Sequence, residues 1–178
     1  MVNPFYTIGH GTRPLHEFTE LLKGVAVTLV VDVRTVPRSR TNPQYNGDTL
    51  PGALSGFEIG YEHVAELGGR RGRQRNVPPA TNAFWHNESF HNFADYATGE
   101  DFRAAIGRLR QLGHSARCAV MCAETLWWQC HRRIVADYLI AAGEAVFHIV
   151  GPGHVAPALL TPSARLGADG ALTYSAEI

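Results

Sequence analysis

The densest group of chemically capable side chains lies in one stretch, Cys122-Ala123-Glu124, then Thr125-Leu126-Trp127-Trp128-Gln129, then Cys130-His131-Arg132-Arg133. A buried strand precedes it and a helix follows, so Cys130 and His131 fall at a helix N-terminus. Free N–H groups and the helix dipole favour an anion there, whether a thiolate or a bound phosphate. Three roles are open. Cys122 or Cys130 can act as a nucleophile, with His131 carrying the proton and Glu124 orienting it or serving as general acid. The two thiols can instead form a reversible disulfide, since an eight-residue step permits closure. Or Cys122, Cys130 and His131, with His10, can hold a metal. Neither Cys-x-x-Cys nor a paired-histidine spacing appears, so the expectation is no metal and no cofactor. Taken without its neighbours, either thiol reads equally as a buried cysteine, as Cys118 does.

Two further groups belong with this stretch. Asp32-Val33-Arg34 followed by Arg38-Ser39-Arg40 puts three arginines and a serine just after a buried strand, the composition of an anion-binding loop. Asn46 can add a side-chain amide. Gly9-His10-Gly11 fits a tight strand-to-helix turn whose glycines let the backbone approach a ligand, although it is neither a Walker loop nor a full dinucleotide fingerprint. Trp127 and Trp128 lie between the cysteines, where one can pack and the other can stack on a flat base. Lys23 is the only lysine beside fifteen arginines. Arginine suits planar, two-pronged recognition of phosphate, though a GC-rich coding bias produces the same skew. The expected ligand is a small phosphate-bearing molecule or a nucleic-acid end.

The elements that must position these groups follow from the apolar pattern. Residues 4–8 read as a first strand. A helix follows, capped by Thr12 with Pro14 in its first turn, and Leu15, Phe18, Leu21 and Leu22 form its apolar face. The β-branched run from Val25 to Val33 reads as a strand buried on both faces, which completes a βαβ unit. A short helix is expected at 49–54 and a third strand at 59–64. Residues 65–88 carry four arginines and Pro78-Pro79 without a hydrophobic period, and read as a long loop, either functional or disordered. Helices at 90–97 and 102–112 follow, the second closed by Gly113. Next come a buried strand at 118–121, a helix at 132–142 ended by Gly143, a core strand at 145–150 and a terminal hairpin within 166–174. This alternation predicts a single three-layer α/β domain over 1–178, with a mostly parallel sheet of about five strands.

In such sheets ligands bind outside the carboxyl ends of the strands, and the polar groups fall there. His10 follows the first strand, Asp32 and Arg34 end the second, Arg70 and Arg71 come after the third, and Cys122 and Glu124 end the fourth. The formal net charge of zero argues against a surface that coats nucleic acid without selectivity. No stretch approaches the ~20 apolar residues that span a bilayer. An odd three cysteines and an N-terminus with no basic-then-apolar segment point to the cytoplasm.

Five motifs occur in an order that resembles the domain of unknown function 488 family. They are Thr7-Ile8-Gly9-His10, Asp32-Val33-Arg34 with Ser39-Arg40, Tyr61 with Leu67-Gly68-Gly69, Phe93 to Tyr96, and Cys122-Ala123-Glu124 with Cys130-His131-Arg132. The resemblance runs over nearly the whole chain. It implies a compact α/β domain and no settled activity. A fainter likeness is to rhodanese-like domains, in which a short loop after the cysteine wraps an anion and ends at an arginine. The path from Cys122 to Arg132 is longer than that loop.

Overall fold

A computed structural model describes residues 2–176. Six strands form one sheet in the order β3-β2-β4-β1-β5-β6. They are β1 (Phe5–Gly9), β2 (Leu29–Asp32), β3 (Gly60–His63), β4 (Cys118–Cys122), β5 (Val146–Gly151) and β6 (His154–Pro157). The first five are parallel, and β6 folds back antiparallel on β5. A separate two-stranded ribbon, β7 (Ala164–Leu166) with β8 (Leu172–Tyr174), realises the expected terminal hairpin.

Alternation along the central strands divides the core in two. Phe5, Val31, Val33, Cys118, Val120 and Cys122 face one side, with α3 (Glu88–Tyr96), α4 (Glu100–Ser115), α5 (Arg132–Ala141) and the β7–β8 ribbon. Tyr6, Ile8, Val30, Ala119 and Met121 face the other, with α1 (Leu15–Gly24) and α2 (Leu50–Ser55). Both faces are covered, so these strands read as unbroken apolar runs.

The expected mostly parallel sheet is present, with the antiparallel β6 as a sixth strand at its edge. Two local expectations are corrected. Helix α1 is entered through Pro14, and Thr12 does not cap it. Gly113 does not end α4, which continues to Ser115. A Cβ on Gly113 would sit 2.2 Å from the Phe5 ring, so this glycine is a packing contact between helix and sheet. Gly143, with φ +91°, does terminate α5.

Chain direction explains where a crevice opens. The chain leaves β2 towards α2 on one face, while its neighbour β4 continues into α5 on the other. Such divergence leaves a gap at the carboxyl ends. The same divergence exists between β1 and β4, but there the chain after β4 fills it. His10 N donates to Cys122 O at 2.9 Å and Gly11 N to Ala123 O at 2.9 Å.

Candidate functional site

The gap beyond β2 and β4 is a cavity of about 370 Å³. Cys122, Glu124 and His131 form its inner wall. Arg34, Thr35, Val36 and Arg38 come from the loop after β2, Gly69 and Arg70 from beyond β3, and Asn87, Ser89 and Phe90 from the start of α3. Segments far apart in sequence therefore meet at the strand ends.

The thiols and the imidazole make one cluster. Cys122 Sγ donates to Glu124 Oε2 at 2.8 Å and lies 3.8 Å from His131 Nδ1, while Cys130 Sγ lies 3.7 Å from the same nitrogen. The other ring nitrogen, Nε2, lies 3.0 Å from Val33 O and 2.9 Å from Leu67 O. Carbonyls only accept, so Nε2 carries the proton and Nδ1 faces the sulfurs. Arg132 N, at the first turn of α5, points at Cys130 Sγ from 3.4 Å.

Electrostatics separate the two thiols. The neighbouring Cys130 sulfur, burial, and the Glu124 carboxylate together push Cys122 well above the usual thiol range. Burial pushes Cys130 upward too, but Cys122, His131 and Arg132 outweigh it and hold this thiol well below that range. Burial opposes charge on His131, and Cys130, Glu124 and the Val33 carbonyl overcome it, raising the ring above 6.5. Cys118, enclosed in β4, is pushed up to about 12 by burial.

Several residues expected to touch a ligand are used structurally instead. Arg132 is 1% exposed, and its guanidinium donates to Glu124 O, Thr125 O and Thr7 Oγ1 at 2.5, 3.1 and 3.3 Å. It clamps the loop after β4 from inside, with Nε, Nη1 and Nη2 each turned to an internal oxygen. Asp32 is fully buried and paired with Arg34, which also donates to Tyr45 O at 2.6 Å. Tyr61 donates to Asp32 Oδ2 at 2.5 Å. Arg34 reaches the cavity wall as a neutralised cation. His10 is buried, stacked on Tyr45 with ring centroids 4.3 Å apart, and does not line the cavity.

The turn glycines serve packing as well. A Cβ on Gly9 would lie 1.8 Å from Glu124 O, so the glycine makes room for the loop after β4 rather than for a ligand. Asn46 Oδ1 accepts from Ser39 N at 2.7 Å, and Ser39 Oγ from Asn42 N at 3.0 Å. Those two side chains brace the arginine loop. With Arg40 they line a second cavity of about 520 Å³, which shares Val36, Arg38 and Arg70 with the first. Trp127 stacks on His148 at 4.4 Å, and Trp128 is 46% exposed; neither lines the first cavity.

What remains for an anion is Arg38, Arg40 and Arg70, all exposed. Among the described residues, their guanidinium groups have no hydrogen-bond or ion-pair partner. Gln129, Asn87 and Ser89 are cavity residues that motif reasoning missed. The only trace they leave is polarity near predicted helix starts, and Asn87 indeed caps α3 by accepting from Phe90 N at 3.2 Å.

Fold and site together define a doubly wound α/β protein with a thiol-, carboxylate- and imidazole-walled crevice at its strand ends. The chain belongs to the family described as domain of unknown function DUF488, whose model matches residues 14–139. The match takes in Asp32-Val33-Arg34 and the whole Cys122–Arg132 stretch. No curated protein and no solved structure matches the chain significantly, so neither extends the fainter rhodanese-like likeness. Among the described residues no helix is long and apolar enough to cross a membrane.

Proposed function

We propose that this chain is an enzyme acting on a small phosphate-bearing substrate, a nucleotide or a nucleic-acid end, in the cytoplasm. Arg38 and Arg70 hold the phosphate at the cavity mouth, and the reacting bond lies over Cys122, Glu124 and His131. One observation carries this reading: unpaired guanidinium groups and an acid–base cluster share one cavity. Arg34 is already neutralised by Asp32, so the mouth arginines supply the net positive charge that attracts the anion. Charge-assisted hydrogen bonds of this kind contribute about 1.5–3 kcal/mol each.

The test is calorimetric titration with inorganic phosphate, nucleoside phosphates and a 5′-phosphorylated oligonucleotide. Arg38→Ala and Arg70→Ala should each weaken the best ligand by about tenfold or more. Glu124→Gln should bind that ligand but not turn it over. Wild-type affinity in the Arg38→Ala/Arg70→Ala double variant, with its fold intact, overturns the reading.

A second reading is thiol chemistry. The Cys122 and Cys130 sulfurs lie within 4.8 Å of one another, near enough for small side-chain movements to join them. Sulfur transfer would need Cys122 alone, redox work would need both thiols, and a non-catalytic binding module would tolerate Cys→Ser at either.

A further inference from the structure

We infer that Cys122 Sγ, Cys130 Sγ and His131 Nδ1 form a three-ligand site for a zinc-class divalent ion whose fourth position opens onto the cavity. Among the described residues these three atoms form a set in which all lie within 4.8 Å of one another. The dimensions fit. Zinc–sulfur and zinc–nitrogen bonds of about 2.3 and 2.05 Å around a tetrahedral centre put sulfur and nitrogen about 3.6 Å apart. The two sulfurs stand 3.8 and 3.7 Å from Nδ1.

The surroundings are those of a ligand set held in place. A metal-binding histidine characteristically donates its other N–H to a carbonyl or carboxylate, which fixes tautomer and ring plane. His131 Nε2 faces two carbonyls, Val33 O and Leu67 O, leaving the Nδ1 lone pair towards the sulfurs. Gly69 packs against the ring so closely that a Cβ there would sit 2.5 Å from Nδ1. Arg132 N supports the Cys130 sulfur. Softness of the set, two sulfurs and one imidazole, selects zinc over magnesium or calcium.

Three protein ligands with an open position characterise catalytic rather than structural zinc. Cys122 and His131 both line the cavity, so the open position faces the substrate space. Glu124 stands beside Cys122 but outside the mutually close set. It therefore suits the role of base for an ion-bound water. In a hydrolytic step, Glu124 takes a proton from that water and the hydroxide oxygen bonds to the electrophilic atom of the substrate. The bond to the leaving group breaks, and the proton passes from Glu124 to it. This catalytic use rests on the cavity reading above; binding of the ion does not.

Cobalt(II) is the probe. The full chain, kept reduced, is stripped with chelator, checked for folding by circular dichroism and titrated with Co²⁺. The expected result is one ion per chain, with thiolate-to-cobalt charge-transfer absorption and the intense visible bands of a tetrahedral site, displaced by Zn²⁺. Cys130→Ser and His131→Ala should lose those bands, while Arg38→Ala and Cys118→Ala keep them. If a ligand variant fails to fold, the wild-type chain still decides the matter, because Zn²⁺ must raise its unfolding midpoint and chelator must reverse the rise. A folded wild-type chain that takes up no cobalt, or takes it up without sulfur charge transfer, overturns the site. Cobalt bands that survive in folded Cys130→Ser overturn it too. Cobalt binding together with unchanged phosphate affinity in the folded Arg38→Ala/Arg70→Ala double variant would instead sink only the substrate reading.

Discussion

Arg34 meets Asp32 through two parallel hydrogen bonds, Nε to Oδ1 at 2.9 Å and Nη2 to Oδ2 at 2.8 Å, in a pair that is 6% and 0% exposed. The pair is completed by Tyr61, Tyr45 O and the Arg34 backbone N–H, so the carboxylate and the guanidinium are both well solvated by protein. Removing one partner leaves a buried charge without compensation, which costs about 3–5 kcal/mol. Asp32→Asn and Arg34→Ala should therefore each lower the unfolding midpoint by roughly 6–20 °C for a chain of this size. Thermal unfolding followed by circular dichroism measures it. A loss under about 2 °C in both variants would show that the pair is not what holds the loop after β2.

That pair also shows what the sequence discloses and what it hides. Strands β2 and β4 are legible because burial on both faces demands consecutive apolar residues, and Leu29-Val30-Val31 and Cys118–Cys122 supply them. The placing of Cys122, Glu124 and Arg34 at one crevice follows from the same pattern. Strand β6 escapes such a reading because His154–Pro157 is short, largely exposed and closed by proline, with no period to read. The spending of Arg34 and Arg132 on internal partners is not legible either. Arg132 is satisfied by the carbonyls of Glu124 and Thr125 and by Thr7, and a carbonyl belongs to every residue. A three-ligand set drawn from a strand end and a helix start escapes a search for Cys-x-x-Cys, because the fold rather than the spacing closes the distance.

Gly69 offers a steric test of the site. A Cβ there would lie 2.5–3.1 Å from three atoms of the His131 ring, and the ring cannot retreat without releasing Val33 O or Leu67 O. Gly69→Ala should cost about 1–3 kcal/mol of stability through overpacking. It should also weaken cobalt binding at least tenfold, as displaced supporting contacts do. Gly72→Ala is the control, since a Cβ at that position would meet nothing within 4 Å. Equal midpoints and equal cobalt affinities in the two variants would mean that the ring position is unimportant.

His148 makes stability depend on pH. Its Nδ1 pairs with Thr7 Oγ1 at 2.6 Å and its ring stacks on Trp127. Burial first, then Arg132, lower its pKa from 6.5 to about 4, with Cys130 acting weakly in the other direction. Between these values the unfolded chain binds a proton that the folded chain does not, so stability falls as pH falls from 6.5 towards 4. The whole effect amounts to about 3 kcal/mol at most. Urea unfolding, followed by tryptophan fluorescence across that window, should show the decline in the wild type and a shallower one in His148→Gln. Parallel pH profiles for the two proteins would remove His148 as the cause.

The two cavities that share Arg38 and Arg70 make a prediction about ligand length. The first reaches the Cys122 cluster; the second is lined by Ser39, Arg40, Pro43 and Asn46 and leads away from it. A ligand with one phosphate needs only the shared arginines, whereas a strand with several phosphates can run on past Arg40. Arg40→Ala should thus leave inorganic phosphate binding unchanged and weaken a 5′-phosphorylated oligonucleotide. Each lost phosphate contact on a single strand should also reduce the slope of log affinity against log salt by about 0.7. The comparison is a salt series for each ligand with wild type and Arg40→Ala, read by fluorescence anisotropy for the oligonucleotide and by calorimetry for phosphate. An equal loss for both ligands would place Arg40 within the shared phosphate subsite. No loss for either would confine the substrate to the first cavity, and the nucleic-acid end would give way to a free nucleotide.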